Sequence, residues 1–386
     1  MVRRAWLAAG LAAALALSVG GVWAAGEDAE AKIGKSAAEQ IEKEMKVVQA
    51  PEQMARLEKI VARLAPFAQR PQVKVVQDAG AKEPAATYAV KILGVGDINA
   101  FSLPGGYIYI TEGALKAVES DDELAAILGH EMAHYVHKDG MDLLRREAKL
   151  NTQVGLALLA AVLAGKSVDP GQVALFGGLL KTAILHGYGR DAEYNADHDG
   201  LIYVQKAGFN PVAMLTVVEG FARLEDTQPN VEMGIFQTHP YPRDRAARLV
   251  AQLESVHVPI NRRLVTRSLV VQVKEAQRDH NTVGQILLDS GLVFETAVGQ
   301  NGKTATERAT EIGGRLTRQI MDNLQGWEIR VGQGADDTAI YARGEPLLQV
   351  LPEDAALQKT SPDALAREVL ARLQMAFWKE TVERAY

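Results

Sequence analysis

The sequence contains no cysteine and no excess of basic residues, and each absence excludes a class of protein. Without cysteine there is no disulfide framework and no lipid anchor on an N-terminal thiol, and a metal site would have to use histidine, aspartate and glutamate. The formal net charge is −6, and a mildly acidic chain is a poor partner for nucleic acid. Internal repeats and low-complexity tracts are also absent, which argues against repeat architectures.

The first 24 residues have the pattern of a secretory signal peptide. Arg3 and Arg4 precede an apolar stretch from Ala5 to Leu17, and Val22–Ala24 offers small residues at the positions that signal peptidase reads. The apolar stretch is nearly long enough to span a bilayer, so an uncleaved membrane anchor is the alternative. An exported chain without cysteine predicts an extracytoplasmic location such as a bacterial periplasm, with stability supplied by a core and a bound metal.

The chain is long enough for two domains, and its character changes after residue 258. We predict a signal peptide at 1–24, a larger domain at 25–258 and a small accessory α+β domain at 259–386. In the accessory domain, strands are predicted at 264–274, 329–331 and 338–343, and helices at 305–324 and 362–386. It contains one histidine and no cluster of metal ligands, so we interpret it as a binding or regulatory module whose partner is unknown.

A short H-E-x-x-H motif carries the strongest chemical signal. On a helix, His130 and His134 leave the same face and can hold one zinc ion, with Glu131 beside them as a general base. His137 shares this face, but it stands where the longer metzincin motif requires glycine. We therefore interpret His137 as a residue behind the ligands or on the surface.

The segments around this helix predict its limits and the approach to it. Asp121 and Asp122 are predicted to cap the helix, and Gly140 to break it. Before it, residues 99–106 are predicted to form a loop that leads into a strand at 107–111. That strand is either a plain core strand or an edge strand to which an extended peptide could be added. The predicted substrate-binding residues are Asn99, Ala100, Phe101, Gly105, Gly106 and Tyr107.

A second acidic helix offers the third metal ligand that a catalytic zinc needs. Glu193 and Asp197 are four residues apart and share a face, so one carboxylate can bind the metal and the other can orient a ligand imidazole. Asp191, His198 and Asp199 compete as ligands. Glu193 is the best candidate because it alone has an acidic residue one turn further on.

Two apolar blocks, at 154–164 and 173–185, are each too short to span a membrane. A buried helical hairpin is the default interpretation, and a flap that contacts a membrane surface is the alternative. Further along, Thr238–Pro240 forms a turn into another helix. A lone histidine before proline is usually structural, but Arg245 follows His239 by six residues and makes it a candidate site residue.

Four groups of residues resemble, in the same order, the gluzincin peptidase family that includes HtpX, the CAAX prenyl proteases and BepA-like periplasmic proteases. They are Asn99–Phe101 with Pro104–Gly106, His130–His134, Glu193–Asp197, and Thr238–Pro240 with Arg245. The resemblance covers residues 31–255. It implies a zincin-like, mainly helical α+β domain with a small antiparallel sheet, one zinc ion, endopeptidase activity on proteins, and quality control of envelope proteins for exported members.

The resemblance and the spacing together give each candidate residue a role. The predicted zinc ligands are His130, His134 and Glu193. Glu131 takes a proton from the zinc-bound water and passes it to the leaving amine. Asp197 orients a ligand imidazole. The expected substrates are proteins or peptides.

His239 and Arg245 are expected to stabilise the tetrahedral oxyanion. His239 has a second interpretation, because an imidazole in the fourth zinc position would exclude the attacking water and close the site. The alternative function is a chaperone-like binding protein with a structural or latent zinc site, in which His239 is the fourth ligand.

Overall fold

The computed structural model describes residues 29–69, 87–151, 153–164, 169–227, 234–278, 280–300, 302–332 and 338–384. The predicted signal segment at 1–24 lies outside the described residues. The sequence also predicts a strand at 72–76, from the alternating pattern of Gln72–Val76, and these residues are outside them as well. The chain divides into two compact units, Met1–Ile260 and Asn261–Tyr386. The boundary predicted after residue 258 lies close to this division.

The first unit is mainly helical and contains a small mixed sheet. Its elements in chain order are α1 at residues 29–44, α2 Pro51–Leu64, β1 Ala89–Leu93, β2 Ala100–Leu103, β3 Tyr107–Thr111, α3 Glu112–Ala117, α4 Asp121–His137, α5 Asp139–Asn151, α6 Gln153–Leu163, α7 Pro170–Leu185, α8 Arg190–Lys206, α9 Val212–Thr227, α10 Ile235–Thr238 and α11 Pro242–Ser255. The mainly helical α+β class predicted for this unit is confirmed.

The sheet has the order β1–β3–β2, so β3 is its central strand. Strand β3 pairs parallel with β1 and antiparallel with β2. Of the two alternatives for residues 107–111, the core strand is therefore the one observed. The prediction of a loop at 99–106 was wrong for β2, because all four residues of this edge strand are buried and show no alternating pattern. Gly105 and Gly106, with φ of +91° and +81°, turn the chain from β2 into β3.

The motif helix α4 begins and ends at residues other than those predicted. Its N-cap is Ser120, whose side chain accepts a hydrogen bond from the Glu123 amide, while Asp121 and Asp122 lie in the first turn. It ends at Lys138, which adopts the left-handed conformation with φ of 62° and donates its N–H to carbonyls of the last turn. Gly140 does not break a helix; it lies within α5.

The two apolar blocks form α6 and α7, and each of these helices packs against α5. Their inner side chains, among them Leu159, Val162, Phe176 and Leu180, join a buried core with α1 and the sheet. Leu156 and Leu175 are exposed on the outer side. None of the helices that the structure describes combines the length and the apolar character needed to cross a membrane. Both helices are thus buried on one side, and contact of the other side with a membrane surface stays a prediction.

Helices α4 and α8 cross in close contact at two glycines. A Cβ atom added to Gly200 would lie 3.1 Å from the Cα and the N atom of His130, and one added to Gly129 would lie 3.3 Å from the Gly200 carbonyl oxygen. Both distances are shorter than ordinary van der Waals contacts. This crossing brings Glu193 and Asp197 of α8 within side-chain reach of the histidines of α4.

The second unit is a small α+β unit with two antiparallel sheets, ordered β4–β5–β6 and β7–β8–β9. Its elements are β4 Val271–Arg278, β5 Asn281–Leu288, β6 Gly291–Thr296, α12 Ala305–Met321, β7 Ile329–Val331, β8 Ala339–Ala342, β9 Glu345–Gln349, α13 Pro352–Leu357 and α14 Pro362–Arg384. Helices α12 and α14 share one hydrophobic core with both sheets. The predicted class is confirmed, but a strand predicted at 264–274 begins only at Val271, and β5, β6 and β9 were not predicted.

The close crossing makes Gly200 a test of how α4 and α8 are positioned. We expect Gly200→Ala to destabilise the protein by about 1–3 kcal/mol, because the added methyl overpacks the crossing. It should also weaken metal binding, because the contact falls on the backbone of His130. Thermal unfolding and competition with a chromogenic zinc chelator measure the two effects.

Gly220→Ala in α9 is the matched control, since its added Cβ would meet Arg223 at an ordinary distance of 3.6 Å. It should bind metal like the parent protein. If Gly200→Ala behaves in the same way as this control, the crossing does not set the geometry of the site.

Candidate metal centre

Four buried side chains converge on one point, and each offers one atom that could hold a metal ion. They are His130 and His134 on α4, Glu193 on α8, and His239 directly after α10, and their ligand atoms all lie within 4.8 Å of one another. The Nε2 atoms of His130 and His134 are 3.0 Å apart. The Glu193 carboxylate lies 3.3 Å from His134 Nε2 and 3.5 Å from His130 Nε2. The predicted ligand set is therefore brought together.

The other ring nitrogens of the two α4 histidines face carboxylates. His130 Nδ1 lies 3.0 Å from Asp197, and His134 Nδ1 lies 2.7 Å from Asp139. A carboxylate accepts hydrogen bonds, so a neutral ring in either position would carry its proton on Nδ1 and turn its Nε2 lone pair toward the other histidine and toward Glu193. Lone pairs and a carboxylate at such distances repel each other unless a cation lies among them. These residues therefore fit a metal ion bound by nitrogen and oxygen.

The shifted pKa values in the cluster also show that its carboxylates favour positive charge on the neighbouring side chains. Burial alone would lower the pKa of His134, but Asp139 and Glu193 outweigh it and raise the value to about 10. Burial would raise the pKa of Glu193, yet Arg245 and the surrounding histidines hold it well below its usual range. In the absence of a metal, protons on the histidines would supply the charge that the carboxylates require.

Arg245 organises the carboxylates behind the ligands. Its Nε and NH2 each lie 2.7 Å from the Asp197 carboxylate, and its NH1 lies 2.7 Å from Glu193. NH1 also donates to the His239 carbonyl at 3.4 Å. An oxyanion role was expected for Arg245, but all three guanidinium nitrogens already have partners. The structure instead gives Arg245 a positioning role, because it fixes both α8 carboxylates and neutralises part of their charge.

His239 lies among the ligands rather than beside them. Its Nδ1 is 3.3 Å from His130 Nε2 and 3.1 Å from Glu193. Its Nε2 is 3.1 Å from the Ala100 carbonyl oxygen of the edge strand β2 and 3.3 Å from Glu131. The ring thus occupies the fourth position around the cluster, which is the closed arrangement considered from the sequence.

Only two of the predicted substrate-binding residues border the site. Asn99 and Ala100 line a small apolar cavity of about 20 Å³ that adjoins His130, Glu131 and His239. The predicted residues Phe101, Gly105, Gly106 and Tyr107 do not line this cavity. Phe101 is buried in the core and stacks on Tyr109, while the two glycines form the β2–β3 turn.

Of the acidic candidates near the start of α8, Glu193 joins the cluster and its competitors do not. Asp191 is exposed. Asp199 contacts two other histidines instead: its carboxylate oxygens lie 2.9 Å from His198 Nδ1 and 2.8 Å from His137 Nε2. His137 itself is half-buried, and its Nδ1 lies 3.9 Å from the Asp139 carboxylate behind His134.

Residues 51–253, just over half of the chain, match peptidase family M48. The chain belongs to this family. Residues 285–380 match a family described as a domain of unknown function, DUF8459. The resemblance noted in the sequence is therefore confirmed for the first unit, and the second unit carries a domain family without an assigned role.

Three relatives are similar to this chain over part of their length. The mitochondrial metalloendopeptidase OMA1 of Schizosaccharomyces pombe is 31% identical over 160 residues, which cover 42% of this chain and 45% of that protein. The beta-barrel assembly-enhancing protease of Escherichia coli K12 is 32% identical over 158 residues, covering 39% and 31%. The metalloprotease LoiP of the same strain is 24% identical over 153 residues, covering 40% and 58%. The matched stretch thus spans from a third to somewhat over half of each relative.

Two residues of this M48 site were missed from the sequence. Asp139 orients His134, and its place just beyond the motif helix could have identified it as a possible partner. Tyr188 is 4% exposed and stacks on the His134 ring, with centroids 3.8 Å apart and planes inclined by 12°. Its backbone N–H donates to the Thr238 carbonyl oxygen, which ties the stacked ring to the segment that carries His239. No spacing pattern in the sequence points to Tyr188.

The carboxylates behind the histidines predict a graded loss of metal affinity. We expect Asp139→Ala and Asp197→Ala each to weaken zinc binding about 10- to 100-fold, because each frees one ligand imidazole to rotate. Competition with a zinc chelator measures the affinity. Asp191→Ala, an exposed carboxylate on the same helix as Asp197, is the control and should change nothing. Parent-like affinity in both variants would show that the carboxylates do not orient the ligands.

Proposed function

We propose that this chain is a zinc-dependent endopeptidase that hydrolyses peptide bonds of exported or misfolded envelope proteins. The observation that carries the proposal is the position of Glu131, whose carboxylate adjoins the converging histidines. Its Oε2 atom is buried and has no hydrogen-bond partner among the residues that the structure describes. A buried, unpartnered carboxylate oxygen next to a metal position is suited to accept a proton from water.

The ligand chemistry favours zinc. Two imidazole nitrogens and one carboxylate are a common ligand set of catalytic zinc, and no thiolate is available in the chain. Held by His130, His134 and Glu193, a zinc ion would lower the pKa of a water molecule and polarise the scissile carbonyl group.

The residues of the chain then perform the proton transfers and the positioning. Glu131 takes the proton from the attacking water and later passes it to the leaving amine. Asp139 and Asp197 keep the two imidazoles in the tautomer that turns Nε2 toward the metal.

The names of the relatives support a polypeptide substrate, since all three are described as proteases or endopeptidases. For an extracytoplasmic location the support is the signal-peptide pattern of residues 1–24, and N-terminal sequencing of the exported protein would test it. Contact of helices α6 and α7 with a membrane surface stays a prediction. Exposed Leu156 and Leu175 support it, and vesicle sedimentation would test it.

Glu131→Gln tests the proton transfer separately from the metal. We expect this variant to keep about one zinc ion per chain and to lose casein cleavage by at least about 100-fold, because only the proton acceptor is removed. Elemental analysis and a cleavage assay with and without a chelator measure the two properties.

The surface variant Asp191→Asn serves as the control and should cleave casein like the parent protein. Unchanged cleavage by Glu131→Gln would contradict the mechanism. Cleavage that resists chelation would contradict the metal dependence.

His239 decides between a gated enzyme and the alternative of a chaperone-like protein with a structural zinc site. The sequence favoured an oxyanion role, in which His239→Ala would lower cleavage by about 100-fold. Because the ring lies in the fourth position, we now expect His239→Ala to raise basal cleavage of an unfolded substrate while metal is retained.

A cleavage assay with reduced, unfolded casein measures this effect alongside zinc content. Lower cleavage with zinc retained would restore the oxyanion role. Loss of zinc without any cleavage in either protein would favour the structural site.

A further inference from the structure

A groove in the second unit lies between helix α12 and the hairpin formed by β8 and β9. It has a volume of about 390 Å³, which is within the size range of ligand-binding clefts. Lys303, Arg308 and Arg315 line it from the side of α12, and Tyr341, Leu347 and Gln349 line it from the strands. Strand β9 is the edge of its sheet, so one side of its backbone faces away from β8.

The acceptors on this outer side of β9 are already occupied. Arg315 donates its Nε–H to the Leu347 carbonyl oxygen at 2.8 Å, and Arg308 donates from NH2 to the Gln349 carbonyl oxygen at 2.6 Å. Arg308 also holds the buried Asp354 carboxylate with two hydrogen bonds of 2.9 and 2.8 Å. Its charge is therefore neutralised, and it forms a fixed wall of the groove.

The groups that are left are hydrogen-bond donors. Arg315 is half-buried, and in the part of the chain that the structure describes its terminal nitrogens, NH1 and NH2, have no acceptor. Val350 donates its N–H to the Thr338 carbonyl oxygen, on the side of β9 that faces β8. Because successive residues of a strand alternate in direction, the N–H of the preceding residue, Gln349, points outward. At the rim, Lys303 pairs with the exposed Glu311. A ligand of this groove must therefore bring acceptors and negative charge.

Part of the accessible surface of the groove is apolar. It comes from exposed Pro346 and half-buried Tyr341, since the lining residues Ile312 and Leu347 are each only 2% exposed. A free guanidinium fork matches the planar geometry of a carboxylate, which it can bind through two parallel hydrogen bonds. A carboxylate that continues into an apolar side chain and a peptide backbone uses all three features: the fork, the apolar surface and the outward N–H of Gln349.

We propose that this groove binds the C-terminal end of an extended polypeptide, with Arg315 holding the terminal carboxylate. The last side chain of the ligand lies on Pro346 and Tyr341, and its backbone accepts a hydrogen bond from the Gln349 N–H. This site goes beyond the proposed peptidase function, and it does not depend on it, because binding is measured without hydrolysis.

The test uses the full chain carrying Glu131→Gln, so that the probe is not cleaved if the first unit is a peptidase. The probe is a fluorescein-labelled hexapeptide of five alanines followed by leucine, prepared with a free C-terminal carboxylate and, separately, as the C-terminal carboxamide. Fluorescence anisotropy should show the carboxylate form binding at least about tenfold more tightly, because the carboxamide is uncharged and presents an NH₂ donor where the carboxylate has its second acceptor oxygen.

Variants of α12 assign the effect to the groove. Arg315→Gln should weaken binding of the carboxylate peptide about tenfold or more, and Arg315→Lys should have an intermediate effect because it keeps the charge but not the fork. Arg318→Gln is the matched control, since Arg318 is exposed on the same helix and does not line the groove. Circular dichroism confirms that each variant is folded.

The outcomes separate this site from other sources of binding. Equal affinity for the two peptides overturns the proposal without any variant, and so does a folded Arg315→Gln that binds like the parent. Inorganic phosphate serves as the small-anion probe: if it binds in an Arg315-dependent manner while neither peptide does, the groove is a phosphate site and the proposal is wrong. Failure of the parent protein, without Glu131→Gln, to cleave casein would instead concern only the proposed function of the first unit.

Discussion

The close crossing of α4 and α8 is the constraint on which the rest of the site depends. Side chains at His130 and Glu193 can meet around one ion only if the two helix axes approach more closely than side chains normally allow. Gly129 and Gly200 remove the atoms that would hold the helices apart. The cost is the lower helix propensity of two glycines, of about 0.5–1 kcal/mol each relative to alanine. That cost is offset by buried apolar residues on both helices.

The electrostatics of the site follow from this proximity. Burying Glu131, Glu193 and Asp197 together would be prohibitive without compensating charge. Arg245 supplies part of it from α11, and the metal or protons on the histidines supply the remainder. Because Arg245 also reaches the His239 carbonyl oxygen, the same guanidinium links the ligand helix to the segment that carries His239. The ligand set and the fourth position are therefore held by one network.

The second unit uses arginine in two different ways on one helix. Arg308 is buried against Asp354 and serves the packing of α12, β9 and α13. Arg315 lies two turns further on and donates one hydrogen bond, from Nε, to the Leu347 carbonyl oxygen. Both arginines cover backbone acceptors of the edge strand β9, which removes acceptors that an unrelated strand could use to pair with it. The hydrogen-bond donors that remain at this edge, the Gln349 N–H and the terminal nitrogens of Arg315, suit a ligand that brings acceptors.

The sequence by itself determined the chemistry of the first unit, because metal binding by a helix needs only local spacing. His130, Glu131 and His134 follow from the 3.6-residue period, and Glu193 with Asp197 from the same period on α8. Tertiary structure alone decided what depends on neighbours distant in the chain. Phe101 proved to be a core residue, β2 an edge strand, Arg245 a partner of carboxylates, and Tyr188 a ring stacked on His134. None of these has a periodic signature, since each is set by which segment packs against it.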